Sequence, residues 1–129
     1  MAAQAGGRKL GVLVECDTGA GRNGVQTPQD ARTLARRIAS SPVLAFDGLM
    51  TYPRSGGRRA GAAFFEEAKA LIAQDGLAVA TVSSGGTPDM WSEEGLQPIT
   101  EYRAGTYIYH DRATTAAGAA TPADCALTV

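Results

Sequence analysis

The sequence predicts an α/β fold built on a parallel sheet. Three observations carry the prediction. Short apolar, β-branched runs alternate with longer segments whose apolar residues recur at helical spacing. The order is strand, helix, strand, helix, strand, short helix, strand, which is the signature of βαβ units. The loops after the strands are the ones richest in Gly and polar residues, and ligand sites of parallel α/β folds lie at the carboxyl ends of strands.

Each element has its own local cause. "LGVLVE" (10–15) is short, apolar and β-branched, so it reads as a buried strand. A loop follows to Gln26, and "TPQDARTLARRIASS" then opens a helix. Thr27 suits the N-cap and Pro28 the first helical position, and Asp30 lies in the first turn, where the helix dipole favours an anion. Ala31, Leu34, Ala35 and Ile38 make one apolar face. "VLAFDGLMTY" (43–52) reads as a second strand ending at Pro53, and "PRSGGRRAG" as a polar loop whose two arginines are solvated. "AAFFEEAKALIAQDG" reads as a second helix, with Phe64, Ala68, Leu71 and Ile72 on one face and Gly76 as C-cap. "LAVATVS" (77–83) is a third strand, and "ITEYRAGTYIY" (99–109) a fourth, broken near Gly105. The Ala/Thr-rich tail reads as loop, and "CALTV" turns β-like.

Bulk properties exclude several function classes. The 129 residues suit one domain or a piece of one, and 44% hydrophobic with 19% charged residues marks a globular chain. A net charge of −1 and a pI near 5.8 argue against nucleic acid or an anionic membrane as partner. No apolar run approaches membrane length, and "MAAQAGGRK" lacks the apolar core of a signal peptide, so a soluble, cytoplasmic protein is expected. Cys16 and Cys125 match no metal spacing and are expected to be free thiols. His110 is the only histidine, which excludes a site of several imidazoles within the chain.

The candidate site is assembled from residues 16–24, 52–57, 84–88 and 103–107. "DTGA" (17–20) matches the aspartic-protease turn, but Glu15 and Cys16 precede the aspartate and two amphipathic helices follow, which disfavours that mainly β fold. Asp17 then reads as an organiser of its own loop. Arg22 could hold a phenolate, carboxylate or phosphate, or staple its loop to Asp17. Glu15 reads as a structural partner for a cation. Tyr52 could stack on a flat ligand or be an ordinary half-buried tyrosine. The backbone N–H groups and hydroxyls of "SSGGTP" (83–88) suit a phosphate, although a Gly-Gly turn alone is common. "YRAGTY" (102–107) offers a second group of amides, and barrel folds hold phosphate after their last two strands.

"DTGAGRNGV", "FDGLMTY", "VSSGGTP" and "EYRAGTYIYHDR", in that order, resemble the pyridoxal-phosphate enzymes of the alanine-racemase-like barrel class. The likeness is greatest to the D-threonine aldolase and D-serine dehydratase family, and it covers nearly all of residues 9–129. It implies a partial (β/α)8 (TIM) barrel, roughly its last four strands, over residues 1–113. Residues 114–129 would be a linker and, in "DCALTV", the first strand of a β-rich second domain. The implied cofactor is pyridoxal phosphate. Arg22 would approach its phenolic oxygen, and Tyr52 would stack on its ring. Ser84, Gly85, Gly86 and Thr87 would hold the phosphate from one side, and Gly105 and Thr106 from the other, with Tyr107 close by. Arg103 would face the pyridine nitrogen. The implied substrate is a β-hydroxy-D-amino acid, cleaved to glycine and an aldehyde; dehydratase and racemase chemistry are alternatives on the same scaffold. A non-catalytic pyridoxal-phosphate carrier is an alternative of another class, with "DCALTV" against it.

The resemblance also defines what is missing. The family's Schiff-base lysine lies at the end of the first barrel strand, ahead of this stretch. Lys9 precedes the first strand and Lys69 lies within a helix, so neither matches. The family's divalent-metal ligands belong to the second domain, and His110 does not match one. The chain is thus expected to be inactive alone. A part barrel exposes a sheet edge and a core face, so instability or aggregation is also expected. The full-length protein would be a monomer or homodimer.

Overall fold

The computed structural model describes residues 7–93 and 97–126. The order is β1 (Leu10–Glu15), α1 (Pro28–Ala39), β2 (Leu44–Met50), α2 (Arg58–Ala73), β3 (Thr81–Ser84), β4 (Glu101–Tyr102) and α3 (Arg112–Ala116). Among the described residues, the 3-10 turns Thr87–Asp89, Thr106–Ile108 and Pro122–Asp124 punctuate the second half.

The four strands form one parallel sheet in chain order, β1-β2-β3-β4. Helices α1 and α2 pack on each other and so share one face of it. Such one-way winding is that of a barrel wall; a doubly wound sheet would reverse and carry helices on both faces. Val14, Leu49 and Val82 stand in register across three strands. They meet Ala31, Ala35 and Ile38 of α1 and Phe65, Ala68 and Ile72 of α2, and this is the core. All four strand carboxyl ends consequently open on one edge.

Local signals hold well in the first half. β1 spans the expected residues, and Thr27 caps α1 by accepting the Asp30 amide at 3.1 Å. Leu34 departs from the expected buried face and is 37% exposed, because the face centres on Ala31, Ala35 and Ile38. Helix α2 starts at Arg58, earlier than expected, and its buried stripe is Gly61, Phe65, Ala68 and Ile72. Phe65, not Phe64, is therefore the core anchor. Phe64 packs edge-on against it, with centroids 6.4 Å apart. Arg58, expected in solvent, is buried.

The second half departs more. β3 begins at Thr81, while Leu77 and Val79 pack against the core ahead of the ladder. The expected long fourth strand is two residues, β4, after which Arg103 still donates its amide to Ser84 O at 2.9 Å. The chain then turns into the 3-10 segment at Thr106. Residues 112–116, read as loop, form α3 behind a capping box of Asp111 and Thr114. At the C-terminus Asp124 ends a 3-10 turn, and the Ala126 amide donates to Tyr109 O at 2.8 Å. The rest of the expected terminal strand, 127–129, lies outside the described residues.

Candidate functional site

The loop after β1 is organised by one carboxylate. Asp17 Oδ1 accepts the amides of Gly19 (2.9 Å), Ala20 (2.9 Å) and Gly21 (3.1 Å). Gln26 Nε2 reaches its other oxygen at 3.4 Å. The amides of Gly19 and Gly21 hold the Asp17 carboxyl below its ordinary range. The loop then returns to the sheet: Val25 donates to Glu15 O and accepts from the Asp17 amide, both at 2.9 Å. Because the folded-state pKa is lowered, this support is present above the ordinary carboxylate value of about 4. It is lost as pH falls through the folded value. The amide signals of Gly19–Gly21 should therefore titrate together below that ordinary value, and Asp17→Asn should abolish the transition. A midpoint at or above the ordinary value would contradict this account.

Arg22 is not a staple to Asp17. Its guanidinium carbon lies 4.7 Å above the Tyr52 ring, a cation–π contact. Glu15, read as a partner for a cation, makes no ion pair among the described residues. Tyr52 is 41% exposed and lies beside Gly86, where a β-carbon would stand 3.3 Å from the ring. Arg22, Tyr52 and Gly86, from three separate loops, thus form one cluster.

Thr51, which nothing in the sequence singled out, ties the strand ends together. It is fully buried, and its hydroxyl donates to Cys16 O at 2.7 Å. Its single proton is then committed, so Thr18 donates to Thr51 Oγ1 at 2.9 Å. The Thr51 carbonyl accepts Arg103 Nη2 at 2.7 Å, and Arg103 Nε is buried without a partner among the described residues. Arg103 is thereby fixed across the ends of three strands.

The two glycine turns meet. The Tyr107 amide donates to Thr87 Oγ1 at 3.1 Å, and Thr87 is buried. Ser84 is buried beneath the first turn. Gly105 and Thr106 open the 3-10 turn, a position whose amides have no intrahelical partner. Tyr102, also missed by the sequence reading, supports the first turn from below: its hydroxyl donates to Gly86 O at 2.7 Å.

Other reactive groups lie elsewhere. Lys9 Nζ donates to Ser41 O at 3.3 Å, and Lys69 pairs with Glu66 at 3.7 Å on α2. Both cysteines are free. Burial first, and Glu15 second, push the Cys16 thiol up to about 12. Among the described residues no cluster of His, Cys, Asp and Glu could hold a metal ion, and no helix is long and apolar enough to cross a membrane. A groove between the carboxyl ends of α1 and α2, lined by Arg36, Arg37 and Asp75, opens on the opposite edge of the sheet.

The family model for the alanine racemase N-terminal domain matches residues 1–113. The chain belongs to this family. It is 34% identical over 121 residues to 3-hydroxy-D-aspartate aldolase of Paracoccus denitrificans (strain Pd 1222), covering 85% of this chain and 31% of that protein. It is 29% identical over 116 residues to D-threonine aldolase of an Arthrobacter species, covering 81% and 31%. The crystal structure of D-threonine aldolase from Filomicrobium marinum superimposes with a TM-score of 0.75 at 23% identity, over 94% of this chain and 35% of that one. The chain thus spans about a third of the length of these relatives. Family membership accounts for the strand order, since four consecutive parallel strands with helices outside are an arc of the alanine-racemase-type barrel.

Proposed function

We propose that this chain is the phosphate-binding arc of a pyridoxal-phosphate-dependent lyase acting on β-hydroxy-D-amino acids. The observation that carries the reading is the meeting of the two glycine turns, Tyr107 N–H on Thr87 Oγ1 at 3.1 Å, at the carboxyl edge of the sheet. The names of the relatives, an aldolase of 3-hydroxy-D-aspartate and one of D-threonine, support the substrate class.

The residues present fit the cofactor. Arg103 Nε is buried and, like Arg58 Nε, has no hydrogen-bond partner among the described residues, so at the carboxyl edge it is open to a ligand acceptor. Gly86 lies flush against Tyr52, where a side chain would crowd the ring. In this reading the Gly85–Thr87 and Gly105–Thr106 segments bind the phosphate through amides and the Thr87 and Thr106 hydroxyls. Tyr52 and Arg22 flank the ring and its phenolic oxygen. Arg103, held by the Thr51 carbonyl, presents a fixed cation to the pyridine nitrogen and so disfavours its protonation. Pyridoxal phosphate supplies an electron sink for bond cleavage at Cα. Covalent attachment needs a lysine from outside these residues, and the divalent metal of the whole enzyme would likewise take its ligands elsewhere.

Calorimetric titration tests the reading. Pyridoxal phosphate should bind the purified chain without covalent attachment, inorganic phosphate should compete, and pyridoxal should bind roughly tenfold or more weakly. Tyr52→Ala should weaken both pyridoxal ligands by up to about tenfold, the scale of one aromatic stack. Equal affinity for pyridoxal and its phosphate, or no competition by phosphate, would overturn the proposal.

A further inference from the structure

Arg58 lies outside every segment assigned to the site, yet its side chain reaches back to the first glycine turn. It is 5% exposed, in the first turn of α2. Its Nη1 donates at 3.0 Å to the carbonyl of Asp89, the last residue of the Thr87–Asp89 turn, and to the Ser92 carbonyl just beyond it. Its guanidinium carbon stands 5.0 Å above the Tyr102 ring. That ring fills the space under Gly85: a β-carbon there, at φ +117°, would fall 2.6 Å from Tyr102 Cε2. The Tyr102 hydroxyl closes on the Gly86 carbonyl at 2.7 Å. The tie also runs the other way, because the Asp89 carboxylate accepts the Gly56 amide at 3.1 Å and the Ser55 hydroxyl at 3.1 Å.

Burying a guanidinium is costly unless its donors and its flat faces are used. Here Nη1 is spent on two backbone carbonyls and the flat face on one aromatic ring, all joined to the same turn, while Nε is buried with no hydrogen-bond partner among the described residues. We propose that Arg58 is a positioning residue for the phosphate-binding turn Gly85–Thr87: it presses Tyr102 beneath the turn and anchors the backbone after it. This rests on the functional reading above and deepens it. Arg58 touches no ligand itself. The Gly86 amide is itself given to the Tyr102 hydroxyl at 3.4 Å, so Arg58 sets the orientation of the Gly85 and Thr87 amides on either side of it, and hence the discrimination between a phosphorylated ligand and its unphosphorylated form.

Arg58→Lys keeps the charge but removes the planar fork and the stack. Tyr102→Phe keeps the ring but removes the hydroxyl bond to Gly86. Two measurements on the purified chain separate the possibilities. In amide hydrogen exchange, both variants should speed exchange at Arg103 and Tyr107, which bond to Ser84 O and Thr87 Oγ1, by roughly tenfold, with β1 and α1 unchanged. In titrations, both should weaken pyridoxal phosphate by roughly tenfold, about one hydrogen bond to a charged group, and leave pyridoxal unaffected. Uniform acceleration across β1 and α1, or an unchanged affinity ratio in a wild-type chain that does prefer the phosphate, would overturn the role of Arg58. A wild-type chain that shows no such preference would sink the functional reading, while the exchange pattern would still decide whether Arg58 holds the turn. If Arg58→Lys does not fold, Arg58→Gln, which also loses the cation over the Tyr102 ring, is read by the same two measurements and gives the decision.

Discussion

Phe65→Ala should lower the unfolding free energy by about 3–5 kcal/mol, while Phe64→Ala should cost only about 1 kcal/mol. The two residues are adjacent, equally apolar and both on α2. Phe65 is 1% exposed and is the largest fully buried side chain among the described residues. Its neighbours in the core include Ala31, Ala35 and Ala68, too short to move into the vacated space, so a cavity would persist. Phe64 is half-buried and rests edge-on against Phe65, so truncating it exposes surface rather than leaving a void. Urea unfolding midpoints at constant slope would read the difference. Equal losses would mean that the helix sits rotated from the orientation described.

Gly48→Ala should cost roughly 3 kcal/mol or more, or abolish the soluble fold. In the β1–β2 ladder Val12 pairs with Phe46 and Leu13 with Gly48, so Asp47 is an extra residue, a β-bulge. Gly48 takes φ +150°, a conformation L side chains rarely adopt, and any β-carbon would collide with the Thr81 carbonyl of β3. β2 is held on both sides, so it cannot shift without breaking a ladder. Gly56→Ala is the control: its φ is +71°, but nothing lies within 4 Å of the added carbon, so only the left-handed penalty of about 1–2 kcal/mol applies. Comparable losses at the two positions would show that the clash at Thr81 is relieved by a small movement.

The bulge also explains one limit on reading this chain. "LAFDGLM" is continuous and apolar enough to be recognised as a strand, but its alternation breaks at Asp47. After the skipped residue, Leu49 returns to the helix-facing side opposite Val14. No pattern within seven residues announces that. The same holds for "ITEYRAGTYIY": its composition is that of a strand, yet the ladder ends at Tyr102 because the chain must bend to bring Tyr107 onto Thr87. The four segments of the candidate site were legible because glycines and polar residues gather at strand carboxyl ends in parallel folds. Arg58, Tyr102 and Thr51 were not, since an arginine beside two glycines reads as solvated and a lone threonine carries no signal.

What the sequence determined by itself is what short-range physics decides. The Thr27–Pro28 start of α1, the six residues of β1 and the folding of a loop around Asp17 each depend on groups within about four residues of one another. Alternation of strand and helix signals sufficed for a parallel α/β class. Only the tertiary structure decided which of two adjacent phenylalanines entered the core. It also decided that Arg58 would be covered by residues about thirty positions away, and that Arg103 would rest on the Thr51 carbonyl fifty-two residues earlier. Burial and hydrogen-bond partnership are properties of what the rest of the chain lays over a residue, and they exist only once the sheet has brought its strand ends together.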